Sequence, residues 1–197
     1  MTLPFSQSCE NNKDPILSIL HRHFDKAGNV LEIAGGTGQH AEYFAAHLPH
    51  LHWQSSDMPE NLETLKPRIA LALLPNLPPP LPFDVTQEHI DLAPVDYVFS
   101  ANSLHIMPAD AVTHFFRHLH TLLKPGGMLC IYGPFKYSGD FTSASNAQFD
   151  QWLKQRNPHS GIRDFETVNA LAQDAGISLL EDNAMPANNQ LLVFRKS

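Results

Sequence analysis

Two hydrophobic rhythms alternate along this chain. Compact apolar runs at residues 30–34, 51–56, 95–100, 128–132, 177–181 and 191–195 have the length and the β-branched or aromatic content of strands. Between them apolar residues recur at helical spacing, as in Ile16, Leu17, Ile19, Leu20 and Phe24, in Tyr43, Phe44 and Leu48, and in Leu62, Leu65 and Ile69. The spacing returns in Val112, Phe115, Phe116, Leu119 and Leu122, and again in Val168, Leu171 and Ala172. Cap and breaker residues set the boundaries. Residues 1–13 are polar and read as irregular; Asp14 caps a first helix, Pro15 takes its first position and Gly28 ends it. Pro49 stops the second helix, Pro59 starts the third and Pro67 threatens a kink inside it. Pro108 opens a fourth, and Asp164 caps a last one that Gly176 closes. The proline-rich residues 75–82 read as a stiff connector, 83–85 as a brief strand or turn, and 124–127 (Lys-Pro-Gly-Gly) as a turn.

Strands alternating with helices imply βαβ units and a parallel sheet in an α/β fold. The runs at 177–181 and 191–195 have no helix between them, so they form a hairpin that adds an antiparallel strand. A length of 197 residues fits a single domain over 1–197. Residues 133–160 differ in texture, rich in Gly, Ser, Asn and aromatics, with a short helix at 147–154 that turns Phe149, Trp152 and Leu153 inward. A connection this long between a strand and its helix is a candidate substrate lid. Lys+Arg 13 against Asp+Glu 20 leaves a net charge of −7, which argues against nucleic acid or an anionic membrane as partner. Cys9 and Cys130 lie far apart, so neither a disulfide framework nor a zinc site is expected. No apolar run approaches the roughly 18 residues that span a bilayer, and no signal peptide is recognisable, so the expected location is cytoplasmic.

The candidate chemistry centres on residues 30–40, a strand that carries Glu32 and runs into the turn Gly35-Gly36-Thr37-Gly38 before a helix begins at Gln39 and His40. Glycines at such a turn let the backbone bend tightly and approach a ligand, and the helix start offers free N–H groups. Residues 36–41 satisfy the dinucleotide pattern G-x-G-x-x-G/A, with Asp57 about 20 residues further on as a ribose acceptor. A second reading adds Glu32. The pattern Glu32-x-Ala34-x-Gly36-x-Gly38, with Asp57 ending the second strand, Asp84 ending the third strand-like run, the 124–127 turn and the closing hairpin, resembles the class I S-adenosylmethionine-dependent methyltransferases. Ala34 departs from the first glycine of that pattern, a change that costs little in size. S-adenosylmethionine has no pyrophosphate, so the turn need only admit the amino-acid moiety while acids accept the ribose hydroxyls.

The resemblance narrows further. Asp14-Pro15-Ile16-Leu17, Gly36-Thr37-Gly38-Gln39-His40, Trp53-Gln54-Ser55-Ser56-Asp57, Ala101-Asn102-Ser103-Leu104-His105-Ile106, Tyr132-Gly133-Pro134-Phe135, Gly161-Ile162-Arg163-Asp164 and Met185-Pro186-Ala187-Asn188-Asn189 are similar to one methyltransferase-like family known by a domain-of-unknown-function label. Asn11-Asn12 stand where that family tends to have Arg-Asn. The resemblance implies a Rossmann-like seven-stranded, mostly parallel sheet with helices on both faces and a C-terminal antiparallel hairpin strand. It implies S-adenosylmethionine as cofactor, contacted by Glu32, Ala34, Gly35, Gly36, Gly38, His40, Asp57, Met58, Asp84, Val85 and Asn102.

Methyl transfer from a sulfonium needs alignment, and a base only when the acceptor is protonated. Asn102 and His105 follow the fourth strand, and Tyr132 ends the fifth. These three are the candidate catalytic residues, with His105 either a general base or a packed turn histidine and Tyr132 either a site residue or a core aromatic. Arg163, Asn188 and Asn189 are candidate substrate contacts; Arg163 could equally tie the lid down, and the asparagines could serve the turn. His114 and His118, at i and i+4, read as a solvated helix face, and no metal is expected. The acceptor is expected to be a small molecule, with a protein substrate as a further option. A regulatory module that binds S-adenosylmethionine without turnover, or an NAD(P)-dependent oxidoreductase, remains as an alternative.

Overall fold

A computed structural model describes residues 2–197. Its elements run α1 (Gln7–His23), β1 (Gly28–Ile33), α2 (Gln39–His47), β2 (Leu51–Asp57), α3 (Leu62–Ala72), β3 (Leu81–Pro82), β4 (Val95–Ala101), α4 (Ala109–Leu122), β5 (Leu123–Gly133), β6 (Phe135–Tyr137), β7 (Asp140–Phe141), α5 (Ala144–Arg156), β8 (Arg163–Asp164), α6 (Phe165–Asp174), β9 (Ile177–Met185) and β10 (Asn189–Lys196). Seven strands form one sheet in the order β3-β2-β1-β4-β5-β10-β9. Strands β1 to β5 pair in parallel, and β10 pairs antiparallel with both β5 and β9. The sequence-based expectation of a mostly parallel sheet closed by an antiparallel hairpin strand therefore holds. No helix among the described residues is long and apolar enough to cross a membrane.

The alternation of side chains along each strand feeds two cores. On one face Val30, Trp53, Phe99, Cys130 and Val193 meet the apolar stripes of α1, α2 and α3. On the other, Leu31, Ile33, Val98, Leu129 and Leu192 meet α4 and α6. Strand order reverses between β1 and β4, and this switch point is where an open α/β sheet leaves a crevice at the carboxyl ends of its strands.

Three local readings are corrected. Residues 7–13 are helical, not irregular: the Ser6 side chain caps the backbone N–H of Cys9, and Pro15 lies inside α1. The helix tolerates Pro15 because its polar first turns pack against α2, where the Gln39 amide donates to Glu10 and the His40 ring meets Asn12. His118 is not solvated; it is buried on α4, and its Nε2 lies 3.0 Å from the Val85 carbonyl. Pro67 neither breaks nor ends α3, which runs through it. Residues 133–160 are ordered as β6, β7 and α5, and β6 pairs with β7 and β8 in a small sheet of its own.

Phe99 is fully buried and packs edge-on against His40 and Phe44 and at a tilt against Trp53. Phe99→Ala is expected to lower stability by about 3–5 kcal/mol. Urea unfolding followed by far-UV circular dichroism should show a lower midpoint with an unchanged slope.

Candidate functional site

The end of β1 makes the turn the sequence marks out. Gly38 is the N-cap of α2 at φ 77°, and a Cβ there would lie 2.9 Å from Leu65. A Cβ on Gly35 would come within 2.2 Å of the Ser55 hydroxyl, so β2 packs directly on the turn. Gly36 is the exposed glycine, with open space on its Cβ side. Ala34 holds φ 64°, a left-handed conformation that costs an L-residue roughly 1–2 kcal/mol. The departure from glycine at this position therefore has a conformational cost where size alone suggests almost none.

Asp57 ties this turn to the neighbouring strand. Its Oδ2 accepts from the Gly36 backbone N–H at 2.8 Å, and its Oδ1 accepts from the Met58 backbone N–H and the Asn61 amide, both at 2.8 Å. A carboxylate has about four lone-pair sites, so one stays free on Oδ2. Beneath the turn Glu32 is fully buried and accepts from Trp53 Nε1 at 3.2 Å. Burial pushes its pKa up to about 7, with the Trp53 hydrogen bond and the neighbouring Ser55 hydroxyl pulling down and the Asp57 charge adding to the rise.

Two cavities open at the carboxyl ends of the strands. The larger, about 650 Å³, is lined by Ala34, Gly36, Asp57, Met58, Asp84 and Val85, with Ile33, Phe83, Ile106 and Met107 supplying apolar surface. Asp84 uses Oδ1 to accept from the backbone N–H and hydroxyl of Thr86, at 2.9 and 2.8 Å. The smaller, about 340 Å³, lies between α1, the end of β5, α5 and the β9–β10 turn, with Asn12, Tyr132, Asn146, Phe149 and Asn189 among its walls. Asn102 belongs to both. It follows β4 at φ 55° and donates its backbone N–H to the Tyr132 carbonyl at 2.8 Å. The junction is thus held by an asparagine in a strained conformation, the kind of position that marks a functional site.

The remaining expected residues fall elsewhere. Glu32, Gly35, Gly38 and His40 line neither cavity and act from below the turn. His40 is buried against Phe44, its pKa pushed down to about 4 by burial, with Nε2 2.7 Å from Asn12 Oδ1. An amide oxygen only accepts, so Nε2 carries the proton. His105 is buried with its ring edge-on to Phe149, and burial with the Arg163 charge pushes its pKa to about 4. Arg163 does not reach either cavity. Its guanidinium donates to the Leu104, Met107 and His159 carbonyls and fastens the β8 segment to the β4–α4 loop. Asn188, at φ 57°, lends its carbonyl to Asn146 and shapes the turn, while Asn189 lines the smaller cavity. Sequence reasoning missed Ser8, Asn11 and Asn12, which α1 presents to that cavity. The signal was present in Ser6 as a cap and in the helical pairs Gln7–Asn11 and Glu10–Lys13.

The model of a family described as a protein of unknown function (DUF938) matches residues 3–196. Among solved structures, an O-methyltransferase family protein from Burkholderia thailandensis superposes with a TM-score of 0.82 at 21% identity, covering 94% of this chain and 56% of that one. An O-methyltransferase family 2 protein from Planctomyces limnophilus, in complex with apigenin, gives 0.81 at 16% identity, covering 96% and 58%. Human N-acetylserotonin methyltransferase in complex with SAM gives 0.78 at 17% identity, covering 97% and 53%. The fold is therefore that of the S-adenosylmethionine-dependent methyltransferases, and the chain spans about half the length of these solved structures.

Glu32 links the turn to pH. Its folded pKa of about 7 lies above the ordinary 4.5, so the native state holds a proton that the unfolded chain has released between those values. The stability this proton carries is fully present below about pH 4.5 and is lost as pH rises through 7. Glu32→Gln should flatten this dependence and gain on the parent by about 1–3 kcal/mol at pH 8, as read by denaturant unfolding at pH 5 and pH 8.

Proposed function

We propose that this chain, which belongs to the DUF938 family of proteins of unknown function, is a methyltransferase that uses S-adenosylmethionine to methylate a small molecule. The observation that carries the reading is the junction of two cavities at Asn102, one sized and lined for a nucleoside and the other for a small acceptor. When bound, S-adenosylmethionine supplies an electrophilic methyl on a sulfonium; the acceptor's lone pair bonds to it as the carbon–sulfur bond breaks and its electron pair stays on sulfur.

The residues of the larger cavity fit that group. Asp57 keeps one lone pair on Oδ2 for a ribose hydroxyl while its other three sites hold the glycine turn and Asn61. Asp84 has Oδ1 taken by Thr86 and keeps Oδ2 for an amino donor. Ile33, Phe83, Val85 and Met107 offer an apolar slot for a purine. Asp57, Asp84 and Asp110 line this cavity without Lys or Arg. Three carboxylates favour a sulfonium cation and repel a pyrophosphate, which sets the dinucleotide alternative aside.

Asn102 and Tyr132 stand between the two sites, where they orient the acceptor toward the methyl group. The Tyr132 hydroxyl lies beside the amides of Asn12 and Asn189, whose hydrogen bonds oppose the upward push of burial on its pKa. His105 stays unprotonated at neutral pH and has no hydrogen-bonding partner for its ring among the described residues. Its Nδ1 is 3.6 Å from where a Cβ on Gly133 would be, directly behind the wall formed by Tyr132 and Pro134. His105 lines neither cavity, so as a base it would take a proton from the acceptor only across that wall. Residues 133–160 act as a lid fixed at its far end by Arg163.

Asp57→Asn is expected to weaken S-adenosylmethionine binding by about 2 kcal/mol, roughly 30-fold, in titration calorimetry. Binding of NADH by the parent protein in place of S-adenosylmethionine would overturn the assignment. His105→Gln is expected to lower kcat by at least about 100-fold with cofactor affinity unchanged. A loss of folding stability with kcat intact would make His105 a packing residue.

A further inference from the structure

The smaller cavity has a property its neighbour lacks. The larger is lined by Asp57, Asp84, Asp110 and His159, whereas no Asp, Glu, Lys, Arg or His lines the smaller one. Several charges on the elements that wall it are engaged with one another. On α1, Glu10 pairs with Lys13; on α5, Asp150 pairs with Lys154 and accepts from the Ile162 backbone N–H; beside β6, Lys136 pairs with Asp164. Arg163 is held by three backbone carbonyls. A charged ligand would lose hydration here and gain no counter-ion.

What the cavity offers is a set of amide and hydroxyl groups with particular valences left over. The Asn11 oxygen accepts from the Gln7 amide, which leaves the Asn11 N–H₂ to donate. The Asn12 oxygen takes the His40 ring N–H, and the Tyr132 hydroxyl lies beside the Asn12 and Asn189 side chains. The Asn146 amide donates to the Thr142 hydroxyl and the Asn188 carbonyl, and the Asn189 amide to the Pro186 and Ala187 carbonyls. Both of those side chains keep their oxygens as acceptors.

We infer that the methyl acceptor is an uncharged polar small molecule that both accepts and donates hydrogen bonds. It accepts from the Asn11 amide and donates to the Asn146 and Asn189 oxygens. The inference rests on the methyl-transfer reading above and specifies the acceptor for that same site. Carboxylates, phosphates and ammonium compounds are excluded for want of a counter-ion.

The test separates a small-molecule cell extract into anionic, cationic and neutral fractions by ion exchange at pH 7. Each is incubated with the protein and methyl-tritiated S-adenosylmethionine. The expected result is at least tenfold more transferred label from the neutral fraction than from either charged one. Label drawn mainly from a charged fraction overturns the inference, as does label from none of them while calorimetry shows S-adenosylmethionine bound. Absence of S-adenosylmethionine binding is a different failure, that of the methyl-transfer reading itself. Benzamide, benzoate and benzylamine, alike in shape and different in charge, serve as competitors against the labelled reaction. Benzamide is expected to inhibit at least tenfold more strongly than the other two, and equal or stronger inhibition by benzoate or benzylamine overturns the inference.

Discussion

The site depends on one carboxylate. Asp57 ends β2 and accepts from the Gly36 backbone, so a side chain on one strand fixes the loop that leaves the next. Its other oxygen closes the turn into the following helix through Met58 and Asn61. Charge-assisted bonds of this kind hold tightly, and here three of them converge on one group. The glycine turn is therefore shaped before any ligand arrives, and the conformational cost of Ala34 at φ 64° is borne by that framework. Glu32 supports the same turn from beneath, where close packing of Ser55 on Gly35 leaves no room for solvent.

The glycine-turn side of the candidate site was legible because it is local. A strand, three glycines and two acids at strand ends lie within short spans of sequence, and each follows from backbone geometry that only a few residue types satisfy. Sequence position did not separate residues that face the cavity from residues that support it. Glu32 and His40 lie in the motif yet point into the core, because alternation along β1 sends Glu32 toward Trp53 and the first turn of α2 sends His40 toward Phe44.

The smaller cavity was largely illegible, for the opposite reason. Its walls come from α1, the end of β5, α5 and the β9–β10 turn, which are far apart in sequence and meet only after the sheet has formed. Single asparagines scattered over such segments have no periodicity to reveal them. Pro15 compounded the difficulty, since a proline one residue after an aspartate reads as a helix start and conceals two turns already formed ahead of it. His118 failed similarly: its i, i+4 relation to His114 says nothing of the Val85 loop folded over it.

Helix α1 touches both halves of the site at once. Asn12 borders the smaller cavity and also holds His40, in the first turn of the helix that the glycine loop launches. Gln39, beside it, is joined to Ser6 and Glu10. Any ordering of this helix by one bound molecule is ordering the second no longer has to provide, and linkage makes the benefit mutual. Under the proposed function, ligands in the two cavities would be coupled through this helix, with no need for the sheet beneath them to move.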